Sequence, residues 1–205
     1  MYRNLVAAAV LMALAAAAQA NVTAGIANQN STSFLDLSSA SSGITVSGGA
    51  LYNTNTNGLP SAAIPTDVAS STASIGEWLG VGPNNGTGGD AVLSFTSPVS
   101  YVSFLWGSPD SYNTLTVTTN LGTYNFQSSN LTGLVYDGNQ SYASYVGFTA
   151  SAGESITSLT FSSGGNAFEA SNFSVTSPVP EPESYALLMA GLFAIGLFRR
   201  RRAAR

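Results

Sequence analysis

Short stretches in which apolar and polar residues alternate recur through the middle of the chain. Within residues 101–106, the side chains of Val102, Phe104 and Trp106 fall on one face of an extended backbone. The same period-two alternation, with threonine at the polar positions, runs through residues 114–118. This pattern is typical of half-buried β-strands, and helical periodicity is almost absent from this part of the chain.

The alternation and its turn residues predict an all-β fold. A Leu121-Gly122 turn predicts a hairpin, and Gly, Asn, Asp or Pro separates the other apolar stretches. About nine short strands of this kind predict an antiparallel, jelly-roll-like β-sandwich over residues 21–177. Residues 53–90 are expected to form long loops around one helical turn at 74–79. Besides the two stretches above, strands are predicted at 34–37, 44–47, 91–96, 124–126, 144–149, 156–162 and 168–176.

The first twenty residues have the three parts of a secretory signal peptide. Arg3 supplies the positive charge, residues 5–18 are apolar, and Ala18-Gln19-Ala20 is an A-x-A cleavage site. The alternative is a short buried helix, but so uniform a run of alanines offers little to pack. We therefore expect a signal peptide over residues 1–20, cleaved so that the mature chain begins at Asn21.

The opposite end, residues 178–205, combines a Pro180-Glu181-Pro182 motif, a single apolar helix at about 184–198 and a basic tail over 199–205. A helix over its apolar run would span about 21 Å, against about 30 Å for the hydrocarbon core of a bilayer. That length alone is more typical of a core helix. The arginines at positions 199, 200, 201 and 202 nevertheless favour a membrane-spanning helix over a core helix, because such a cluster stays on the cytoplasmic side. The predicted cytoplasmic stop consists of Arg199, Arg200, Arg201 and Arg202.

This order of motif, apolar helix and terminal arginine cluster resembles the PEP-CTERM sorting signal. The resemblance implies recognition by an exosortase, a membrane-embedded processing enzyme, and removal of the tail near Pro180-Glu181-Pro182. It also implies a membrane-tethered precursor, export across the cytoplasmic membrane, and a final place on the cell surface or in the extracellular matrix of a biofilm rich in exopolysaccharide. A permanent single-pass anchor is the alternative.

Charge is distributed very unevenly along the chain. All six basic residues are arginines near the two ends, whereas residues 21–180 contain eight acidic residues and no basic one. So acidic a domain should repel nucleic acid and attract divalent cations. A buried carboxylate in it has no side-chain cation to pair with, and must find N–H or O–H donors or a metal ion.

The composition also excludes most catalytic centres. The chain has no histidine, cysteine or lysine, which removes Ser-His-Asp, Cys-His and Ser-Lys arrangements and histidine-based zinc sites. A pair of carboxylates for glycoside hydrolysis remains, but no motif selects one. We therefore expect no catalytic activity and no cofactor, with calcium as the one ion that the acidic side chains favour.

Two positions are candidates for binding that ion. In the turn after the strand at 101–106, Asp110 and Asn113 supply oxygen atoms suited to calcium, or else fix the turn through Asx-type hydrogen bonds. In an unbroken strand Glu169 would share the core face with Phe173 and Val175. Such a carboxylate needs a bulge that turns it outward, backbone or hydroxyl donors, or a calcium ion.

The aromatic residues allow a second kind of site. Trp106 and Tyr112 flank the turn and could stack on sugar rings, although aromatic residues also fill the cores of sandwiches. Residues 104–115 and 167–175 are moreover similar to segments of certain exosortase-dependent surface proteins, and the second of these segments to the last strand of carbohydrate-binding jelly rolls. A structural or adhesive surface protein is the leading hypothesis, and a module that binds exopolysaccharide is the alternative.

Overall fold

The computed structural model describes residues 21–27, 34–52, 77–86, 88–139, 142–178 and 189–192, and eleven β-strands make up more than half of these residues. The strands are β1 (Val22–Ile26), β2 (Ile44–Ser47), β3 (Ala50–Tyr52), β4 (Trp78–Val81), β5 (Ala91–Val99), β6 (Tyr101–Gly107), β7 (Asn113–Thr119), β8 (Thr123–Gln127), β9 (Ala143–Ala150), β10 (Ile156–Ser163) and β11 (Phe168–Thr176).

The strands form two antiparallel sheets. One has six strands in the order β1-β9-β6-β11-β4-β3, and the other has five in the order β2-β5-β10-β7-β8. Their facing sides enclose a single large hydrophobic core, which confirms the predicted all-β sandwich. The jelly-roll-like winding of the chain stays a prediction.

Strand β7 shows how the sequence pattern produces this architecture. Its Leu115 and Val117 are buried in the core. The residues that alternate with them, Thr114, Thr116 and Thr118, are half-buried on the opposite side. Successive side chains of a strand point to opposite faces, and β-branched threonine packs well on a pleated surface. The predicted hairpin is also present, since β7 pairs with β8 around residues 119–122.

The middle of the core is aromatic. The ring of Phe104 lies 5.2 Å from that of Phe173 and 5.6 Å from that of Phe161, and Trp106 is stacked on Phe168 at 4.2 Å. Rings in stacked and edge-to-face contact bury a large apolar area and add a modest attraction of their own. This packing fixes the end of β6 against the start of β11, which is where the candidate site lies.

The outer face of the six-stranded sheet is also buried in part. A second cluster, separate from the main core, consists of Trp78, Leu105, Ala143 and Tyr145. Strands β4 and β6 are consequently buried on both faces. A strand of this kind has little alternation, and that is why β4 was not predicted.

Strand β11 contains a β-bulge. Its pairing with β6 shifts register between Ser171 and Ser174, and Asn172 has a φ of 54°. Asparagine adopts this left-handed conformation more readily than most residues. Its side-chain amide donates to the Tyr145 hydroxyl at 2.9 Å, which holds the bulge against the outer face.

Some elements differ from the prediction. Residues 34–37 are not a strand, because Asp36 accepts hydrogen bonds from the backbone and hydroxyl of Ser38 and bends the chain. Strands β1, β3 and β4 were not predicted. The expected helical turn at 74–79 is wrong where it can be compared, since Trp78 and Leu79 belong to β4. Its remaining residues, and most of the loops expected over 53–90, lie outside the described residues.

The two predicted targeting segments fall largely outside the described residues. The signal peptide at 1–20 lies wholly outside them, and of the predicted apolar helix at 184–198 only 189–192 are described, as helix. No helix within the described parts of the chain is both long and apolar enough to cross a membrane.

Candidate functional site

A buried carboxylate marks the candidate site. Glu169, in the second position of β11, is only 4% exposed. Its neighbours Phe168 and Ala170 point into the main core, so Glu169 faces the outer side of the sheet. The bulge that follows resets the alternation, and Phe173 therefore points into the core while Glu169 does not.

The residues opposite Glu169 on both adjacent strands are glycines. Glu169 pairs with Gly80 of β4 on one side and with Gly107 of β6 on the other. Neither of these directly paired residues has a side chain, and the Ser108 hydroxyl donates to Glu169 Oε2 at 2.5 Å. Of the three predicted ways to accommodate this carboxylate, the structure contains both a bulge and a hydroxyl donor.

Burial controls the ionisation of Glu169. Loss of solvent raises the pKa of its carboxyl to about 7, the hydrogen bond from Ser108 opposes this rise, and the negative charge of Asp110 adds to it. About half of the molecules therefore carry a protonated Glu169 at neutral pH. A protonated carboxyl is itself a hydrogen-bond donor, which an ionised carboxylate is not.

Tyr112 borders the same site from the turn between β6 and β7. It is 41% exposed, and its ring covers Gly165, where an added Cβ would lie 2.7 Å from the ring carbon Cζ. Burial, a hydrogen bond with Asp110 and the charges of Asp110 and Glu169 raise the pKa of Tyr112 to about 12. Its phenol therefore stays neutral at physiological pH.

A chain of polar side chains closes the other side of the site. The Tyr52 hydroxyl donates to Asn85 Oδ1 at 2.6 Å, and Asn85 Nδ2 donates to Asn166 Oδ1 at 2.6 Å. The Tyr52 ring lies directly over Gly80, since a Cβ added there would be 2.7 Å from its Cε2. Strand β3, the loop after β4 and the loop before β11 thus meet beside Glu169.

The predicted calcium ligands are only partly brought together. Asp110 and Glu169 are close enough to affect each other electrostatically. Asn113 is buried, however, and its Oδ1 accepts a hydrogen bond from Ser163 at 2.8 Å. Across the described parts of the chain, no three of Asp, Glu, His and Cys form a group suited to a metal ion. Calcium binding by Asp110, Asn113 and Glu169 stays a prediction.

The structure corrects the interpretation of Trp106. Its side chain is fully buried and stacked on Phe168 inside the sandwich, so it offers no ring face to a sugar. The same alternation that predicted the strand places Trp106 on the core face with Val102 and Phe104. Tyr112 is the member of the predicted pair that remains accessible.

Sequence reasoning missed a second buried carboxylate, Glu154, in the turn between β9 and β10. It is 4% exposed. Its Oε1 accepts from the hydroxyls of Thr119 at 2.6 Å and Tyr124 at 2.7 Å, and its Oε2 from the Ser151 hydroxyl at 2.9 Å and the backbone N–H of Asn21 at 2.7 Å. Desolvation raises its pKa, but these hydrogen bonds outweigh that effect and lower it overall. No local sequence signal reveals contacts between residues so far apart in the chain.

The residues predicted to direct sorting lie outside the described residues. They are Ala18 and Ala20 of the signal-peptide cleavage site, Pro180, Glu181 and Pro182 of the motif, and Arg199, Arg200, Arg201 and Arg202 of the basic tail. The last strand of the sandwich, β11, ends just before the Pro180-Glu181-Pro182 motif. The hydroxyl of Ser100 donates to the backbone oxygens of Thr176 and Ser177, both at 3.1 Å, and so holds the end of β11.

Comparison with known proteins identifies this C-terminal segment and leaves the sandwich unassigned. No match to the chain was found among curated proteins or solved structures. The family profile of the PEP-CTERM protein-sorting motif matches residues 178–202. Directly after its β-sandwich, the chain therefore carries a PEP-CTERM protein-sorting motif.

Proposed function

We propose that the protein is an exported, exosortase-processed surface protein whose β-sandwich has a structural or adhesive role and no catalytic activity. The sorting motif at 178–202 carries this proposal. A motif of this kind implies export, a membrane-anchored precursor and processing by an exosortase. In the same proposal, residues 1–20 act as a removable signal peptide and an apolar helix at about 184–198 holds the precursor in the membrane.

The position of the motif supports removal of the tail. Strand β11 ends at Thr176, and the motif begins two residues later. Because Ser100 still holds the backbone of Ser177, the folded body is complete before the motif starts. An enzyme that cuts near Pro180-Glu181-Pro182 would release an intact sandwich.

A passive role for the sandwich agrees with its chemistry. The chain has no histidine, cysteine or lysine, and the two buried glutamates have hydroxyl or amide donors. We propose a stable acidic body that acts in the cell surface or in the matrix of a biofilm. Binding of exopolysaccharide has weaker support, since Trp106 and Trp78 are buried and Tyr112 remains as an exposed aromatic residue of the site.

Intact-mass measurement of the protein recovered from its own cells tests the proposal. We expect a mass that lacks residues 1–20 and the segment beyond the Pro180-Glu181-Pro182 motif, with any attached anchor added. Glu181→Ala should leave the C-terminal tail in place, because the motif that the exosortase recognises is broken. Ser177→Ala, a change at an exposed side chain just before the matched residues 178–202, is the control and should be processed normally. A soluble cytoplasmic protein of full-length mass would contradict the proposal.

A further inference from the structure

The backbone nitrogen of Asn21 lies in a pocket built around Glu154. It is 2.7 Å from Glu154 Oε2 and 3.1 Å from the Ser151 hydroxyl oxygen. In the uncleaved chain this nitrogen is an amide with a single hydrogen, which two acceptors must share. The site therefore offers more acceptors than an amide can use.

Cleavage of the signal peptide changes the chemistry of this nitrogen. When water is added across the Ala20–Asn21 peptide bond, Ala20 keeps a carboxylate and Asn21 gains an ammonium group with three hydrogens. Residues 21–180 contain no lysine, arginine or histidine. The new ammonium would thus be the one cation covalently built into the exported domain, and it would form beside a buried carboxylate.

We infer that Glu154 is the binding site for the N-terminal ammonium of the mature protein, and that removal of the signal peptide creates an ion pair which locks β1 into the six-stranded sheet. This inference rests on the proposed export, because cleavage after Ala20 is part of that function. It goes beyond it by assigning a role to a carboxylate that the sorting motif does not involve.

The fold already holds Asn21 in the required place. Its backbone oxygen accepts from the N–H of Ser151 at 2.9 Å. The next residue, Val22, is buried in the core and lies opposite Ala150 in the register of β1 and β9. Little conformational freedom remains to be lost when the ion pair forms. A charged donor also makes a shorter and stronger hydrogen bond than an amide does.

The described residues around the pocket include no basic side chain. Thr119 from β7, Tyr124 from β8 and Ser151 from the turn after β9 contact Glu154 through hydroxyl groups. Glu154 and Tyr124 are the titratable side chains among these contacts. A neighbouring carboxylate favours the charged form of an amine and therefore raises its pKa above the usual value of about 7.7–8.0.

The sequence allows an unusually clean experiment. Because the chain contains no lysine, acetic anhydride can acetylate one primary amine of the processed protein, the N-terminal one. At pH 6.5, which lies below both pKa values, each unit by which the pKa is raised lowers the amount of reactive free amine about tenfold. The rate at this pH should therefore be at least about tenfold slower in the folded protein than in the same protein unfolded in urea. The pH profile of the folded rate should be displaced upward.

Acetylation of the amine and substitution of Glu154, made singly and together, distinguish the ion pair from simple shielding of the amine by the fold. Acetylation, which removes the charge, should lower the unfolding midpoint of the processed protein. In Glu154→Gln the same acetylation should lower it by much less, because the carboxylate partner is absent. Glu154→Asp, whose carboxylate is shorter by one methylene, serves if the glutamine variant does not fold, and in it too the effect of acetylation should be smaller than in the wild type.

Mass spectrometry separates the results that would overturn the inference. A recovered protein that still carries residues 1–20 overturns both the lock and the proposed export, whereas a shortened protein that begins elsewhere than Asn21 overturns the lock alone. A protein that begins at Asn21 but whose amine has the same acetylation profile folded and unfolded overturns the lock alone.

Discussion

Glu154 and Glu169 are both only 4% exposed, yet their environments shift the pKa values of their carboxyl groups in opposite directions. Four donors surround Glu154 and lower its pKa. Glu169 receives a hydrogen bond from Ser108 and lies near the charge of Asp110, and its pKa is raised to about 7. Glu169 is surrounded by more protein than Glu154, and this deeper burial, together with its smaller number of donors, accounts for the difference.

The raised pKa of Glu169 predicts a loss of stability with increasing pH. The folded state holds its proton up to about pH 7, whereas the unfolded chain releases it near 4.5. Ionisation therefore favours unfolding as the pH rises from about 4.5 to 7, and the change is complete above the folded value. At about 1.4 kcal/mol for each unit of pKa, the cost is about 3 kcal/mol. Glu169→Gln should remove this dependence.

Urea unfolding at pH 4.5, 6 and 8 measures the effect. The glutamine variant should match the wild-type free energy of unfolding at the lowest pH and exceed it at the highest. Asp90→Asn, a change at an exposed carboxylate, should leave the slope of the wild type unaltered. Equal dependence of stability on pH in the wild type and the glutamine variant would show that Glu169 ionises without cost.

At the level of single residues, the sequence identified some residues in unusual environments but did not predict the direction in which their side chains point. The absence of a basic partner identified Glu169 as a problem, but its direction depends on a bulge three residues further along β11. Trp106 was assigned a sugar-binding alternative although its alternation already placed it in the core. Glu154 was missed because its partners, Asn21 and Thr119, become neighbours only through the fold.

Single elements were predictable where apolar residues recur at every second position, which includes β6 although both of its faces are buried. Eight of the nine predicted strands coincide with observed ones, among them β2 at the same residues. The strands that were missed are of other kinds. Strand β3 has three residues, β4 is buried on both faces, and β1 includes a glycine. In each of these the period-two pattern is too short or too weak to stand out.

The two glycines that flank β2 provide a test at the same scale. Gly43 precedes the strand and Gly48 follows it, and both have a φ of 74°. A Cβ at Gly43 would touch nothing within 4 Å, whereas one at Gly48 would overlap the backbone oxygen of Asp90. Gly43→Ala should therefore cost about 1 kcal/mol for its conformation alone. Gly48→Ala should cost at least about 2 kcal/mol more because of the overlap.

The pair can be compared by urea unfolding of the two variants under identical conditions. Their common backbone angle makes Gly43→Ala the control for Gly48→Ala, so the difference between them measures the overlap. Equal losses of stability would mean that the segment between β2 and β3 moves away from Asp90 at no cost.

The charge of the whole domain determines its response to salt. With eight acidic residues and no basic side chain over residues 21–180, the mature sandwich is dominated by repulsion between its carboxylates. Raising NaCl from about 0.01 M to 0.15 M shortens the screening length from about 30 Å to 8 Å. We expect the unfolding midpoint to rise on the order of 2–4 °C, corresponding to about 1 kcal/mol.

Scanning calorimetry at the two salt concentrations measures this rise. Equal concentrations of MgCl₂ and CaCl₂ provide the control, because screening alone treats the two salts alike. A larger increase with calcium would support ion binding near Asp110 and Glu169. A midpoint that falls as NaCl increases would contradict the expected repulsion.

The strand that precedes the sorting motif is not at an edge. Strand β11 lies between β6 and β4, and its last residues, Ser174 to Thr176, are paired with β6. Tension applied through a C-terminal tether would therefore enter the sheet at an inner strand, whose last residues are held by β6. The first residues of the strand, Glu169 and Ala170, are held by both β6 and β4. A pull on the tether must thus break the pairing with β6 before it reaches the part of the strand that is held on both sides.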